Sequence, residues 1–270
     1  MNSTQQFFKA SNRSLLRELV ASDFKLRYQG SVLGYLWSLL RPLMLFGVLY
    51  VVFTQVFNVG KDVPYFPSYL LLGIVLWTFF TESTMSGLNA ITGRGDLVRK
   101  VSVPKHIIVI STTLSAFINF SLNLLVVIIF MIIGHVPFRA SLVFVPLLIV
   151  ELALLCLAVS FTLSALFVKF RDISHIWEVI LQALFYATPI LYPLTYPSSQ
   201  TIRELLSINP LTQIIQDMRS ITITPQTLTT KQVFNSQFLG RVWPVIFILV
   251  LAAISIWYFR RSSRNFAEEL

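Results

Sequence analysis

The N-terminal part of the chain contains two different hydrophobic patterns, one after the other. In residues 15–29, apolar side chains recur at helical spacing, and Glu18 and Lys25 fall on the opposite arc. Residues 33–57 are then apolar almost throughout, which is long enough for a span because a bilayer core needs about 20 residues of helix. The two patterns predict an amphipathic helix that lies on a membrane surface, followed by a helix that crosses the membrane.

Long apolar segments of this kind recur along the whole chain. We predict an all-α integral membrane protein with a single transmembrane domain, residues 1–270, in which the N-terminal interfacial helix precedes six transmembrane helices. The six predicted spans are 33–57, 69–91, 107–133, 142–168, 173–191 and 242–259. An even number of spans places both termini on the same side of the membrane.

Polar residues inside the spans indicate where helices contact protein or water instead of lipid. Arg41 and Pro42 place a charge and a predicted kink about two turns into the first span. The second half of span two reads TESTMSGLNAIT, and we predict that it packs against other helices or lies in the headgroup layer. Asn119, Asn123 and Ser160 are predicted to form hydrogen bonds between helices.

Three short segments outside the spans are predicted to be helical. Residues 96–101 form a brief helix in the loop after span two. The other two segments follow span five, which is itself unusually short and ends in FYATPILYPLTYP, whose prolines predict a broken helix. Residues 201–208 and 211–221 are each too short to cross a bilayer, so we predict short outer helices that re-enter the membrane.

Composition supports the membrane assignment and gives an orientation. The 270 residues are 55% hydrophobic and only 12% charged, which is too little charge for a soluble protein of this size. The net charge of +9 does not indicate nucleic-acid binding, because the basic residues lie at the ends of apolar spans instead of on one face. Most Lys and Arg residues fall on the side that carries the termini, which predicts that both termini are cytoplasmic.

The usual sequence signatures of catalysis and cofactor binding are missing. No phosphate-binding loop of the form G-x-x-x-x-G-K-[ST] occurs. His106, His135 and His175 fall on different loops and form no metal-binding pattern. No acidic cluster is suited to the Mg²⁺ and diphosphate of a glycosyltransferase. We therefore predict a transport protein that is not an enzyme and has no metal or cofactor of its own.

The interfacial helix carries a pair of opposite charges within its apolar arc. Asp23 and Arg27 are four residues apart, in the order that favours a helical ion pair. Two interpretations stay open. Either the Arg27 side chain extends to water beside a local counter-charge, or the pair binds a second protein or a charged lipid headgroup.

Four stretches of the sequence together resemble one known family. They read FKLRYQGSVLGYLWSLLRPL, GDLVRKVSVPKH, FVKFRDISHIWEVILQALFYATPILYP and INPLTQIIQDMR, in this order along the chain. They resemble the permease subunit of ABC-2 type polysaccharide exporters, and the similarity covers about residues 15–258. Within that family the chain looks most similar to Gram-positive exporters of rhamnose-containing cell-wall polysaccharides, and more distantly similar to O-antigen, teichoic-acid and capsule permeases.

The resemblance implies a function, a set of partners and a location. The implied function is ATP-driven export of an undecaprenyl-diphosphate-linked, rhamnose-rich polysaccharide across the bacterial plasma membrane. The permease would act as a homodimer with two copies of a separately encoded ATPase, which would bind the ATP and Mg²⁺. It would contact membrane lipid and no nucleic acid.

The resemblance also implies roles for individual residues. Residues 15–29 correspond to the family's interfacial helix, 96–101 to its coupling helix and about 201–221 to its outer gate helices. The implied coupling residues are Asp96, Leu97, Val98, Arg99 and Lys100. The residues implied to bind a lipid headgroup or dock the ATPase are Asp23, Lys25, Arg27 and Tyr28. The implied glycan path includes Trp37, Arg41, Tyr50, Phe185, Tyr186 and Tyr192.

Other functions are kept as alternatives. An exporter of teichoic acid, O-antigen or capsule would use the same architecture. A proton-coupled secondary transporter is a different class, suggested by Glu82, Glu151 and Glu178 within the spans, although the chain has no detectable internal repeat. A membrane enzyme that assembles the glycan, or an exporter of drugs or small lipids, fits the sequence less well.

Overall fold

The computed structural model describes residues 13–23, 25, 34, 36–57, 63–100, 103–236 and 238–269, and all regular secondary structure within them is helical. Helix α1 covers residues 13–23. The helices that follow are α2 (Leu36–Val51), α3 (Phe66–Leu88), α4 (Gly95–Lys100), α5 (Lys105–Ile133), α6 (Val145–Lys169), α7 (Ile173–Ala187), α8 (Gln200–Ser207), α9 (Pro210–Thr222), α10 (Thr230–Val233), α11 (Trp243–Ser262) and α12 (Phe266–Glu269).

Among these residues, five helical segments are long and apolar enough to cross a membrane, so the chain is a multi-pass membrane protein. They are Leu36–Val56, Phe66–Leu88, Lys105–Ile133, Ala140–Lys169 and Phe238–Ser262. The predicted span that is not among these five is span five, residues 173–191, which contains α7; this helix is apolar but has 15 residues. A helix of that length extends about 22 Å, against a bilayer core of about 30 Å. The count of six spans therefore stays a prediction that depends on this short helix.

The first span does not end where its sequence carries a proline. Helix α2 continues through Pro42, whose side chain is buried, and a π-helical turn follows it at Val52–Val56. The kink at Pro42 stays a prediction. Before this span, the residues of α1 that are described as partly buried include Leu15, Leu16 and Leu19. Arg17 and other polar residues of α1 are exposed. The amphipathic interfacial helix over residues 15–29 stays a prediction, because residues 24 and 26–29 lie outside the described residues.

Helix α3 lies at the centre of the bundle. It packs against α2, α5, α6 and α9, and most of its side chains are buried on every face. Ser83 and Thr84, in the polar half of the predicted second span, are fully buried. This half of the span therefore packs against other helices, as its polar composition predicts.

Polar side chains join α3 to its neighbours. Asn119 Nδ2 on α5 donates to Glu82 Oε1 on α3 at 2.6 Å. Asn123 Nδ2 donates to the Ser38 carbonyl of α2 at 3.1 Å. The Ser160 hydroxyl on α6 donates to the Ser83 carbonyl at 3.2 Å. The residues predicted to bond between helices thus do so, and they position α2, α5 and α6 around α3.

The backbones of α3 and α6 approach closely where Gly87 faces Ser160. A Cβ atom at Gly87 would overlap the Cβ and Oγ atoms of Ser160 and lie 3.1 Å from its Cα. Small residues at a crossing point allow two membrane helices to come this close. The hydrogen bond from Ser160 to the Ser83 carbonyl lies at the same crossing.

At one end of the bundle, α9 is buried between α3, α6 and α11. The helical bonding of α7 stops at Ala187, before the prolines, and an irregular segment leads into α8 and α9. Asn209 caps α9, because its Oδ1 accepts the backbone N–H of Leu211 at 3.0 Å. Helices α8 and α9 thus lie where the sequence predicts two short helices, and their re-entry into the membrane stays a prediction.

The side chain of Arg219 on α9 is fully buried. Its Nε atom donates to the Tyr69 carbonyl at 3.1 Å, and its terminal nitrogens donate to the carbonyls of Pro189 and Ile190 at 2.7 and 2.6 Å. The guanidinium carbon lies 3.7 Å from the centre of the Tyr69 ring. A side chain at Gly73 would overlap the guanidinium. Arg219 therefore fastens α9 both to α3 and to the chain that follows α7.

Candidate functional site

A partly open cavity of about 840 Å³ lies between α2, α3 and α5. This volume is within the range of ligand-binding clefts. Its wall is formed by Trp37, Ser38, Arg41, Pro42 and Leu45 from α2, by Trp77, Thr78, Thr81, Glu82, Met85 and Ser86 from α3, and by Asn119 from α5. The bonds that join α2, α3 and α5 also hold this wall in place.

The cavity wall combines aromatic, charged and amide groups. The Trp37 side chain is 47% exposed and that of Arg41 is exposed, although both lie in an apolar helix. The Glu82 carboxylate accepts the amide of Asn119, which fixes its orientation. Such a wall can stack against the apolar face of a ligand and hydrogen bond to its hydroxyl groups.

Aromatic side chains continue from the cavity toward the end of α7. The ring of Trp77 lies 5.6 Å from that of Phe185, and Phe185 lies 5.4 Å from Tyr186. Tyr186 is 69% exposed, and its carbonyl accepts the hydroxyl of Tyr192 at 2.9 Å. Five of the six predicted path residues thus lie in the cavity wall or along the aromatic run that leaves it: Trp37, Arg41, Phe185, Tyr186 and Tyr192.

Tyr50, the sixth predicted path residue, has a different environment. Its ring stacks on Phe46 at 5.7 Å and on Phe66 at 6.4 Å, at the edge of the bundle core. Tyr50 is not among the residues of the cavity wall. Its place on a glycan path stays a prediction that this geometry does not support.

Of the wall residues, the sequence analysis assigns only Trp37 and Arg41 to the path, and the α3 residues of the wall, including Trp77, are additions from the structure. Trp77, Thr81 and Met85 are spaced by four residues, which places them on one face of α3. The sequence signal for the α3 residues is this face, on which a tryptophan and polar residues share a helical stripe inside a span.

The end of the bundle opposite α9 contains a second apolar cluster, which we call the small core. Its buried residues are Ala90, Ile91, Val98, Ile108, Val109, Phe161, Ala165, Val168, Phe259 and Phe266. Leu97 of α4 and Leu19 of α1 pack against it. Asp96 and Arg99 are on the exposed side of α4, and Lys100 is its last residue. The predicted coupling residues therefore form a short helix with one face fixed by the fold and one face exposed.

The structure gives Asp23 a partner that the sequence did not indicate. Its carboxylate forms an ion pair with Arg94, in the turn before α4, and Arg94 also donates to the hydroxyl of Ser111 at 3.2 Å. This pair joins α1 to α4 and α5. Lys25 is exposed. Arg27 and Tyr28 lie outside the described residues, so the Asp23 and Arg27 pair stays a prediction.

No group of three or more His, Cys, Asp or Glu side chains in the described part of the chain could hold a metal ion. The described residues form an aromatic and polar cavity between α2, α3 and α5, a series of aromatic rings that leads away from it, and the short exposed helix α4. These are features suited to binding and movement of a ligand.

Comparison with known proteins places the chain in a family. Residues 14–223 match the profile of the ABC-2 type transporter family. The O-antigen export system permease protein RfbA of Myxococcus xanthus is 32% identical over 260 residues, covering 96% of each chain. Two proteins of the same name from Klebsiella pneumoniae are 27% and 26% identical over 261 residues, covering 95% of each chain. A family match over most of the sequence, together with relatives that align along nearly their whole length, shows that the chain belongs to the ABC-2 type transporter family.

Proposed function

We propose that this chain is the permease subunit of an ATP-driven exporter that carries a lipid-linked polysaccharide across the bacterial plasma membrane. In this proposal the glycan is attached to undecaprenyl diphosphate and is rich in rhamnose. The permease works as a homodimer with two copies of a separate ATPase, and both of its termini are cytoplasmic. The named relatives, all O-antigen export permeases, support the class of substrate.

The observation that carries this proposal is the cavity and the aromatic run that leaves it. Each sugar of a polymer has hydroxyl groups around its ring and apolar C–H groups on its ring faces. It therefore matches a wall that contains Trp37, Arg41 and Glu82. Stacking of each sugar on an aromatic ring is weak; an aromatic pair contributes about 0.5–1.5 kcal/mol. Such contacts can bind the polysaccharide without fixing its position along the path. The run from Trp77 through Phe185 to Tyr186 extends that surface toward the end that carries α9.

The opposite end of the bundle would receive the lipid diphosphate and the ATPase. Cationic side chains form charge-assisted bonds to phosphate, and Lys25 is an exposed example beside α1. The ion pair between Asp23 and Arg94 would transmit movement between α1 and α4. Because α4 packs on the small core through Leu97 and Val98, a push on its exposed face would reach α6 and α11.

Deletion of the gene in its host tests this function. Surface glycan should be lost and its lipid-linked precursor should accumulate inside the cell, and a plasmid copy of the permease should restore export. Restoration should also require a partner ATPase that can hydrolyse ATP. Unchanged surface glycan after deletion would reject the polysaccharide substrate. Export that persists with an inactive ATPase would instead favour the proton-coupled class.

We expect the charge reversal Asp96→Arg to weaken ATPase binding at least tenfold without unfolding the permease. Asp96 is exposed in the first turn of α4, so the change leaves the small core intact, whereas a substitution at half-buried Leu97 would also disturb packing. Co-purification of the ATPase from detergent and its permease-stimulated ATP hydrolysis measure the effect.

Gln226→Arg is the matched control for Asp96→Arg. Gln226 is exposed in the loop after α9, at the other end of the bundle, so the added positive charge lies far from the proposed ATPase. The control should bind the ATPase like the wild type. If Asp96→Arg also binds it normally, α4 is not the docking helix.

A further inference from the structure

A polar cluster lies inside the interface between α6 and α9, away from the cavity described above. Glu151 of α6 faces Gln213 and Asp217 of α9, both of which are nine-tenths or more buried, with exposures of 2% and 4%. Gln213 Nε2 donates to Asp217 Oδ2 at 2.8 Å. Arg241, just before α11, places its Nε atom 4.0 Å from the same oxygen, and its side chain is 57% exposed.

Three oxygen atoms of this cluster have no hydrogen-bond donor among the described residues. They are Glu151 Oε1, Gln213 Oε1 and Asp217 Oδ1, and all three are buried. Buried acceptors without a donor are costly and uncommon in native proteins. The unpartnered Gln213 oxygen is informative because it requires a donor and not merely a positive charge. Something that carries a hydrogen must supply that bond.

The charges of the cluster also do not balance. Two ionised carboxylates in this interface would repel each other, and Arg241 supplies one positive charge from the margin. One further positive charge is needed for neutrality. A single proton on Glu151 provides that charge and also a donor for Gln213 Oε1, and of the three oxygens only Asp217 Oδ1 is then left without a donor.

We propose that Glu151 is a proton-binding site, and that its neutral carboxyl group donates a hydrogen bond to Gln213 Oε1. Gln213 links this hydrogen bond to Asp217, because its amide nitrogen donates to Asp217 Oδ2. Asp217 stays ionised beside Arg241. The result is a chain of bonds from α6 through α9 to the start of α11.

The proton belongs on Glu151 and not on Asp217 for a physical reason. Burial raises the pKa of Asp217, but the hydrogen bond from Gln213 and the charge of Arg241 both oppose that shift. Gln213 also interacts with Glu151, but the charge that faces Glu151 is the negative one of Asp217, whereas Arg241 pairs with Asp217. Arg219, the other charged residue of α9, is engaged by carbonyls and by the ring of Tyr69 on α3.

Loss of this proton has a direct mechanical consequence. Two like charges would then face each other across the α6 and α9 interface, and Gln213 Oε1 would lose its donor. Proton release at Glu151 therefore weakens the attachment of α9 to α6, while the Arg219 attachment to α3 persists. The site makes the stability of the α9 end depend on pH.

Glu151→Gln tests the proposal in the purified, lipid-reconstituted permease. The amide has nearly the size of the acid and can still donate to Gln213 Oε1, so the variant should fold. Infrared spectra of the wild type at neutral pH should contain the C=O band of a neutral carboxylic acid that Glu151→Gln lacks. Glu204→Gln, a change on the surface helix α8, is the control and should keep that band.

Thermal unfolding supplies a second readout. A proton that the folded state binds more tightly than the unfolded chain adds stability at low pH, and that stability is lost as pH rises. Between about pH 6 and about pH 9, the unfolding midpoint of the wild type should fall by about 2–4 °C more than that of Glu151→Gln.

Three outcomes would overturn the proposal. One is a wild-type spectrum without the Glu151 acid band, and another is an equal pH dependence of the two unfolding midpoints. The third is stabilisation of the wild type, but not of Glu151→Gln, by Na⁺ or Ca²⁺ at constant pH, which would assign the cluster to a metal cation. None of these measurements depends on polysaccharide export, so the proposed function can fail without affecting them.

Discussion

Replacing Arg219 by Met should destabilise the permease by about 3 kcal/mol and sharply reduce the amount that accumulates in the membrane. The substitution removes the donors to the carbonyls of Tyr69, Pro189 and Ile190, and the cation above the Tyr69 ring. An unpaired buried polar group costs about 1–3 kcal/mol, which outweighs the relief of no longer burying a charge. The midpoint of thermal unfolding in detergent measures the change.

Arg203→Met is the matched control for this prediction. Arg203 also donates to two backbone carbonyls, Pro197 at 2.6 Å and Thr195 at 3.3 Å, but it does so on the surface helix α8. Water can replace those bonds, so the control should unfold near the wild-type temperature. If Arg219→Met and Arg203→Met behave alike, the buried guanidinium does not hold α9 in place.

The double substitution of Trp37 and Tyr186 by Ala should slow polysaccharide export about tenfold, while assembly of the proposed homodimer and basal ATP hydrolysis by the proposed ATPase partner persist. Both rings are largely exposed, so their removal leaves the core intact. Two lost stacking partners amount to about 1–3 kcal/mol, and about 1.4 kcal/mol is a factor of ten. Surface glycan that appears after induction of the permease gives the rate.

A second pair of exposed aromatic residues provides the control for the export measurement. Trp257 and Phe247 lie on α11, away from the cavity wall, and their replacement by Ala should leave export unchanged. The substitution Trp37→Cys extends the test, because the native Cys156 is buried and should not react with a water-soluble thiol reagent. Normal export by the Trp37 and Tyr186 double variant, together with no reaction of the thiol introduced by Trp37→Cys, would place the path elsewhere.

Local sequence patterns were sufficient for most of the helices. The amphipathic periodicity of α1, the polar half of α3 and the prolines after α7 each depend on residues close together in the chain. The interhelical bonds of Asn119, Asn123 and Ser160 were predictable for the same reason, since an amide or hydroxyl in an apolar span needs a partner wherever it lies.

The features that the sequence did not reveal depend on distant partners. The sequence does not indicate the partners of Arg219, because they are carbonyls on α3 and after α7, and a backbone carbonyl carries no signature in a sequence. Helical spacing predicts a pair of Asp23 with Arg27, but it gives no sign of the contact of Asp23 with Arg94, which follows it by 71 residues. Trp77 was missed because one ring within a hydrophobic span resembles any other core residue until the cavity beside it is known.

Because Gly87 and Ser160 are in close contact, the effect of a substitution at one of these positions depends on the residue at the other. A larger residue at 87 fits only if position 160 becomes smaller, and a glycine at 160 would give up the hydrogen bond to Ser83. Each single exchange therefore lowers fitness before the second can compensate for it. Sequences that descend from this one should either keep both residues or have substitutions at both, so positions 87 and 160 should covary.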